Sequence, residues 1–160
     1  MQNSAGETVN FVVTMEPIAP AESGAFLKMA ESHFRELDSS FVPRQDWGKN
    51  YFTIIQSNPH FYLRWIAVND ARAGFILFGL EDHNFLANTS GWIYELYVLP
   101  EFRRKGVARE SALRAILELQ AHTSKIQLEI MEGNQGAKAL WKSLGFGKFC
   151  ERWVKRDEPK

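Results

Sequence analysis

The sequence predicts an α+β domain in which helices pack on both faces of a mixed, mostly antiparallel β-sheet. Apolar residues alternate in some segments and recur every three or four residues in others, in the order strand, two helices, three strands, helix, strand, helix, strand. The chain has 160 residues, 45% of them apolar, which suits one domain with a buried core. We therefore predict a single domain over residues 1–160, frayed over residues 1–8.

The charge balance and the cysteine content narrow the partners that we expect. The 19 Lys and Arg residues equal the 19 Asp and Glu residues, whereas a dedicated nucleic-acid-binding protein normally carries a basic excess. The apolar runs are too short to span a bilayer, and the first four residues lack the basic start of a signal peptide. A single cysteine, Cys150, excludes an internal disulfide, and the four histidines lack the spacing of metal ligands. We expect a cytoplasmic protein without metal, nucleic-acid or membrane partners.

The first half of the chain predicts one strand, two helices and a hairpin. Residues 9–18 are rich in β-branched side chains and end between prolines, which is typical of a strand. Residues 21–37 have apolar positions at helical spacing, and Pro43 fits the first turn of a second helix. The buried stripe of that second helix is expected at Trp47, Tyr51, Ile54 and Ile55. Strands at 60–68 and 72–80 follow, and the Asn-Asp pair between them favours a hairpin turn.

The second half predicts a central strand and a long helix, with shorter elements after them. Residues 92–99 are almost continuously apolar, which is typical of a strand that is covered on both faces. The other predicted elements are a polar loop at 81–90, a long helix at 104–122, a strand at 125–131, a short helix closed by Gly145, and one or two strands within 146–154.

The segment that joins the central strand to the long helix carries the clearest chemical signal. The strand ends at Pro100, and a short basic loop leads to Gly106, which opens the helix. Four cations lie in or next to this loop: Arg103, Arg104, Lys105 and Arg109. The first N–H groups of a helix lack partners within the helix and lie at the positive end of its dipole, so the segment predicts an anion site. A solvated basic turn that starts a helix accounts for the same residues.

This segment resembles the pyrophosphate loop of the GNAT family of N-acetyltransferases. The family pattern Gln/Arg-x-x-Gly-x-Gly/Ala is matched by residues 103–108, Arg-Arg-Lys-Gly-Val-Ala. Residues 95–98 with Pro100 are similar to the fourth strand of the family. Leu128-Glu129-Ile130 to Asn134, followed by residues 139–146, is similar to the block Asn…Ala-x-x-Leu-Tyr-x-x-x-Gly-Phe. The resemblance covers residues 92–149, and the order of elements extends it to residue 9.

The resemblance implies an acyl-CoA N-acyltransferase fold whose fourth and fifth strands splay apart around acetyl-CoA, the cosubstrate. By this analogy, backbone groups of Leu96, Tyr97 and Val98 pair with the pantetheine arm and polarise the thioester. The N–H groups of residues 104–109 hold the pyrophosphate, and Asn134 contacts the pantetheine from the far side. The implied cofactor-binding residues are Leu96, Tyr97, Val98, Arg103, Arg104, Lys105, Gly106, Val107, Ala108, Arg109 and Asn134.

Two glutamates are candidates for the catalytic base that removes a proton from the acceptor amine. Glu129 matches a glutamate proposed as the base in ribosomal-protein acetyltransferases, although a glutamate on a partly wet sheet face has the same pattern. Glu95 lies on the central strand, where it can act as the base, pair with a cation or recognise the amine. Trp141 departs from the family, which commonly has a tyrosine there as the acid for the leaving thiolate. Water, another tyrosine such as Tyr94 or Tyr97, or unassisted departure then completes the reaction.

The sequence thus predicts an acetyl-CoA-dependent N-acetyltransferase that uses direct attack by a primary amine. The acceptor is a small-molecule amine or an amine of a peptide or protein, selected by the first two helices and residues 81–90. A catalytically weak acyl-CoA sensor and an unrelated phosphate-binding regulatory domain are the alternatives. Homodimer formation stays open.

Overall fold

A five-stranded sheet, whose strands lie side by side in chain order, is the frame of the computed structural model. The structure describes residues 11–83, 85 and 87–155. The strands are β1 (Val13–Pro17), β2 (Phe61–Val68), β3 (Ala71–Asp82), β4 (Thr89–Val98) and β5 (Ile126–Leu128). Neighbouring strands are antiparallel except β4 and β5, which are parallel. The predicted mixed, mostly antiparallel sheet is confirmed.

Within the described residues, four α-helices cover the two faces of this sheet: α1 (Ser23–Leu37), α2 (Trp47–Ser57), α3 (Val107–Gln120) and α4 (Gln135–Ser143). We call the side packed against α1 and α2 the aromatic face, because rings dominate it. Its buried apolar residues are Ile18, Phe26, Ala30, Ile55, Leu63, Trp65, Phe75, Leu77 and Tyr97. We call the side packed against α3 and α4 the aliphatic face. Its buried residues are Val13, Ile66, Val68, Ala73, Ile76, Phe78, Ile93, Val98, Val107, Ala112, Ala115, Leu119 and Trp141.

The hairpin between β2 and β3 is confirmed, because Asn69 and Asp70 both have positive φ angles, +47° and +67°. The loop predicted at 81–90 is partly wrong. β3 continues through Asp82, β4 begins at Thr89, and the Thr89 hydroxyl donates a 2.7 Å hydrogen bond to Asp82. Pairing across β3 and β4 therefore extends into polar residues that periodicity alone assigns to a loop.

A β-bulge in β4 controls which face its side chains reach. Leu77 of β3 pairs with Glu95, whereas the next β3 residue, Phe78, pairs with Ile93, so Tyr94 is the extra residue. Tyr94 packs with the aromatic face, and Glu95 reaches α1 on the same side. The bulge thus places two successive side chains on the aromatic face.

Strands β4 and β5 pair over only a short stretch, and we call the unpaired edge of β4 beyond it the gap. Their parallel ladder joins only residues 91–93 to residues 126–128, and β4 then continues to Val98 without a β5 partner. β5 is shorter than the predicted strand at 125–131. The resulting gap lies directly before the basic loop.

The close packing of β3 against β4 depends on one glycine. A Cβ atom at Gly74 would lie 2.0 Å from the carbonyl oxygen of Tyr97, a distance that no side chain tolerates. Gly74 therefore fixes the separation of the two central strands immediately before the gap.

Several predicted boundaries are wrong. β1 begins at Val13, and residues 9 and 10 lie outside the described part of the chain, as do residues 1–8. α2 begins at Trp47, beyond Pro43, and Ile54 is exposed, while Phe52 packs towards the core in its place. The long helix begins at Val107 because Arg104 and Gly106, with φ of +59° and +81°, cannot be helical.

The predicted C-terminal strand is also wrong, since residues 146–155 are described and contain no strand. The apolar residues there are Phe146, Phe149, Trp153 and Val154, which do not alternate with a period of two. No strand face can bury them together, and Phe149 and Trp153 are exposed.

Candidate active site

The gap between β4 and β5 exposes backbone groups of β4. The Leu99 N–H donates a 2.8 Å hydrogen bond to the Ala73 carbonyl, towards β3. Because backbone groups alternate in direction along an antiparallel strand, those of Tyr97 also face β3, whereas those of Leu96 and Val98 face the gap. The Val98 carbonyl already accepts a 2.7 Å hydrogen bond from Arg103 Nε. The N–H groups of Leu96 and Val98 are therefore the backbone donors directed into the gap.

The basic loop presents a row of free N–H groups. Within the described part of the chain, no protein acceptor lies in hydrogen-bonding geometry with the N–H groups of residues 104–109. The row ends at Glu110, whose N–H donates to the Gly106 carbonyl at 3.0 Å in the first turn of α3. Gly106 is the N-cap of α3, and no side chain caps this helix end. These six N–H groups lie in the loop and the first turn of α3, at the positive end of a helix dipole, where the electrostatic field favours negative charge.

The four cations of this segment have different partners. Arg103 is held by Glu36 of α1, with distances of 2.8 and 3.0 Å to the two carboxylate oxygens, as well as by the Val98 carbonyl. Lys105 Nζ donates to the Glu101 carbonyl at 2.8 Å, and Arg109 donates to the Ser143 hydroxyl at 2.9 Å. Among the described residues, Arg104 is left without a protein partner.

Asn134 lies at the start of α4, where its Oδ1 accepts a 3.0 Å hydrogen bond from the Ala137 N–H. The side chain is thus an N-cap, the role that asparagine commonly takes at such positions. The amide Nδ2 has no acceptor in the part of the protein that the structure describes.

Glu95 is half-buried on the aromatic face and pairs with a histidine of α1. Its Oε2 lies 2.6 Å from His33 Nε2, and the side chains are 20% and 10% exposed respectively. The His33 ring packs among Phe34, Phe75 and Tyr97, with centroid distances of 5.2 to 5.8 Å. This mostly buried carboxylate, held by one polar partner, is thus in a different environment from a solvated surface glutamate.

Glu129 lies in a different environment, directly after β5. Its side chain is 62% exposed and accepts a 2.6 Å hydrogen bond from Arg152. Such an exposed ion pair is typical of a solvated surface.

The tyrosines that could act as the acid are both bound to carboxylates. Tyr94 donates to Glu81, and Tyr97 donates to Glu36 at 3.0 Å. Burial raises the pKa of both phenols, and these hydrogen bonds raise it further. Both are therefore weaker acids than an ordinary tyrosine. Trp141 is buried on the aliphatic face with its ring 5.3 Å from that of Phe146, so it is a core residue.

Sequence reasoning missed the pairing of His33 with Glu95 and the state of the Tyr51 hydroxyl, although it placed Tyr51 on the buried stripe of the second helix. His33 lies 62 positions away in the chain, and its neighbours in sequence do not indicate a carboxylate partner. Tyr51 of α2 has a buried hydroxyl for which the described part of the chain supplies no hydrogen-bond partner. Burial raises the pKa of Tyr51, and the charge of Glu95 adds to that rise. The helical pattern predicts that a tyrosine is buried, but it does not show whether the hydroxyl of that tyrosine has a hydrogen-bond partner. Only the packing of α1 and α2 reveals this.

The described residues contain no group of three or more His, Cys, Asp or Glu side chains that could hold a metal ion. Across the same residues, none of the helices has the length and apolar character needed to cross a membrane.

Comparisons with known proteins agree with this geometry. Residues 25–146 match the model of the acetyltransferase (GNAT) family. No curated protein matches the sequence. The fold is similar to a transcriptional regulator from Bacillus halodurans C-125, with 15% identity, a TM-score of 0.74, and coverage of 91% of this chain and 100% of the other.

Two further solved structures have the same fold. A ribosomal-protein-alanine N-acetyltransferase from Brucella melitensis biovar Abortus 2308 is 15% identical, with a TM-score of 0.69 and coverage of 91% of this chain and 100% of the other. An aminoglycoside acetyltransferase from an uncultured soil metagenomic sample, in complex with sisomicin, is 11% identical, with a TM-score of 0.67 and coverage of 91% and 97%. With its family match over residues 25–146 and a shared fold, the chain belongs to the GNAT acetyltransferase family.

Proposed function

We propose that this protein is an N-acetyltransferase that moves an acetyl group from acetyl-CoA to a primary amine by direct attack. The observation that carries the proposal is the row of free N–H groups at residues 104–109, beside the open edge of β4. A pyrophosphate fits such a row because each N–H can donate to a phosphate oxygen and the helix dipole favours negative charge. Membership of the GNAT family supplies the reaction class.

The residues around this row fit the phosphate and pantetheine parts of acetyl-CoA. Arg104 and Lys105 add positive charge to the N–H groups, and Gly106 with its positive φ turns the chain into α3. Val107, Ala108 and Arg109 contribute backbone N–H groups, while the Arg109 side chain holds the end of α4 through Ser143. Phosphate charge is thus neutralised by the protein itself, without a metal ion.

Leu96, Val98 and Asn134 are assigned to the pantetheine arm. The N–H groups of Leu96 and Val98 face the gap, and Asn134 Nδ2 is free to donate while its Oδ1 caps α4. For Tyr97 we propose a supporting role, because its backbone pairs with β3 and its hydroxyl binds Glu36. Arg103 is proposed to support the loop by tying it to Glu36 and Val98, rather than to contact phosphate.

Glu95 is the proposed base for the acceptor amine. An ammonium group must lose a proton before its nitrogen lone pair can attack, and the Glu95 carboxylate accepts that proton as the N–H bond breaks. The amine nitrogen then forms a bond to the thioester carbon and passes its second proton to water as the C–S bond breaks, and CoA leaves as a thiolate that takes a proton back from that water. A backbone N–H of β4 directed at the thioester oxygen stabilises the negative charge that develops there.

Glu129 is the second candidate base. It is mostly exposed and engaged by Arg152, so water screens its charge, and its environment does not single it out from other surface glutamates. We therefore assign the larger role to Glu95.

A catalytically weak acyl-CoA sensor is the second candidate function. One observation favours it: Trp141 occupies the family's tyrosine position and is a packed core residue, which leaves that position without an acid. The fold is also shared with a protein described as a transcriptional regulator. A sensor would bind acetyl-CoA at the same loop but release thiol slowly with every amine.

The acceptor is proposed to be an amine on a small molecule or on a peptide or protein. Proteins with this fold include acetyltransferases of aminoglycosides and of a ribosomal-protein alanine, so the fold serves both kinds of acceptor. The cytoplasmic location and homodimer formation stay predictions.

Thiol release from acetyl-CoA tests the proposal directly. We expect release to depend on an added amine across a panel of aminoglycosides, polyamines and peptides with free N-termini. Thermal unfolding with acetyl-CoA, CoA and ATP is measured on the same protein, and we expect the two CoA compounds to stabilise it more than ATP does. Stabilisation without amine-dependent thiol release would favour the sensor. Stabilisation by ATP alone would contradict both functions.

A further inference from the structure

We propose that His33 is a positioning residue for Glu95, which holds one carboxylate oxygen so that the other is presented to the acceptor amine. The inference rests on the proposed function, because it takes Glu95 as the group that accepts the amine proton. His33 lies on α1 and Glu95 on β4, so the pair also connects the helix on the acceptor side to the strand that borders the gap.

The geometry of the pair supports this role. The 2.6 Å contact joins His33 Nε2 to Oε2 of Glu95, and Oε1 has no protein partner among the described residues. A glutamate side chain has three rotatable bonds, so a carboxylate without such a contact samples several orientations. One hydrogen bond to a ring that is itself packed between aromatic neighbours restricts it to one orientation. The free oxygen is then fixed in direction.

The His33 ring is itself well fixed. It lies 5.8 Å from the Phe75 ring and 5.2 Å from the Tyr97 ring, and its side chain is 10% exposed. If His33 only filled space, an apolar residue of similar size could replace it without changing the orientation of the Glu95 carboxylate. The short contact with the Glu95 carboxylate instead indicates that His33 serves as its hydrogen-bond partner.

Other polar groups face the pair from each packed element. Tyr51 contributes from α2 a buried hydroxyl that has no partner among the described residues, and its ring lies 5.7 Å from the ring of Phe34, which also packs against His33. Tyr97 faces the ring from β4, and its hydroxyl is taken by Glu36. Arg103 neutralises Glu36. The Glu36 charge thus has its own partners, and His33 is the residue that contacts Glu95.

A matched pair of variants separates positioning from packing. Glutamine and methionine have nearly the same length and shape, but only glutamine carries an N–H donor that can reach Glu95 Oε2. We expect His33→Met to lower kcat by about 10- to 100-fold, as a displaced catalytic group does, with the KM for acetyl-CoA changed less than about threefold. We expect His33→Gln to restore kcat to within about fivefold of the wild type. Equal losses in the two variants, or no loss in either, would overturn the proposal.

A double-variant cycle tests whether His33 acts through Glu95. In a Glu95→Gln background, His33→Met should lower kcat no further, because the carboxylate that it positions is gone. A further loss of the same size as in the wild-type background would overturn the proposal. Each variant is first compared with the wild type in thermal midpoint and in stabilisation by acetyl-CoA.

A spectroscopic test does not depend on catalysis. Long-range proton–nitrogen NMR spectra of the imidazole rings identify His33 by the signal that His33→Gln removes. We expect the Nε2 signal to move when Glu95→Gln is introduced, and an unchanged signal would contradict the contact. If no amine is acetylated by the wild type, the proposed function fails, whereas this spectrum still reports on the pair.

Discussion

The aromatic and aliphatic faces of the sheet bury polar groups in different ways. On the aliphatic face, the buried Ser111 hydroxyl is satisfied within its own helix by the Val107 carbonyl at 2.9 Å. On the aromatic face, His33 pairs with Glu95 across two elements, and the Tyr51 hydroxyl has no hydrogen-bond partner among the residues that the structure describes. Burying such groups costs free energy that burying an apolar pair would not, so each of them calls for an explanation beyond packing. Under the function that we propose, the aliphatic face contributes to stability and the aromatic face carries the chemistry of the acceptor.

Glu95→Gln gives the largest expected effect. Loss of a general base lowers kcat by about 100- to 10,000-fold, and we expect the affinity for acetyl-CoA to be retained because the basic loop is untouched. Steady-state kinetics and acetyl-CoA titration on the same preparation measure both quantities. The matched control is Glu31→Gln, an exposed glutamate of α1 that pairs with Arg35, for which we expect full activity.

Leu119→Ala tests the aliphatic face. Leu119 is 1% exposed in α3, so truncation should lower the free energy of unfolding by about 2 to 5 kcal/mol while kcat of the folded protein is retained. Leu117→Ala in the same helix removes an exposed leucine and should change stability by less than about 0.5 kcal/mol. Urea unfolding curves provide the comparison. A large loss of kcat in Leu119→Ala below its unfolding transition would contradict the division between the faces.

Tyr51→Phe gives the smallest expected effect on stability at neutral pH. Removing an unpartnered buried hydroxyl should leave the free energy of unfolding unchanged or raise it by about 1 kcal/mol. The raised pKa of Tyr51 keeps the phenol protonated in the folded protein at pH values where the unfolded chain ionises it, above about 10. The folded state then binds more protons, so stability falls as pH rises in this range. We expect a shallower alkaline decline for Tyr51→Phe, and a decline identical to the wild type would show that this hydroxyl titrates normally.

Local sequence patterns predicted most of the helices and strands, but not the residues at which these elements begin and end. The aromatic and aliphatic content of β2 and β3 and the helical stripe of α3 are local properties, so sequence alone predicted these elements. The predicted start of α3 was wrong because Arg104 has a positive φ angle. A residue other than glycine rarely adopts such an angle, so this conformation depends on contacts between the loop and the rest of the fold. The prediction of a C-terminal strand was wrong because it rested on apolar content alone, without the alternation of apolar and polar residues that is typical of a strand.

In the candidate site, the sequence predicted the position of the basic loop but not the hydrogen-bond partners of its side chains. The row of N–H groups follows from a loop before a helix, which a linear motif encodes. The engagement of Arg103 by Glu36 joins residues 67 positions apart, and the bulge that turns Glu95 towards α1 depends on pairing with β3. Contacts between distant segments of this kind are set by packing, and a single sequence does not carry them.

Acetyl-CoA titration of the nitrogen-15-labelled protein, followed by backbone amide NMR, is the most direct test of the cofactor site. We predict that the largest shifts occur at residues 104–109 and at Leu96 and Val98, whose N–H groups are free or face the gap. ATP at the same concentration should perturb the loop but not the two β4 amides, because it has no pantetheine arm. Acetyl-CoA shifts confined to α1 and α2, with the loop amides unmoved, would contradict the account.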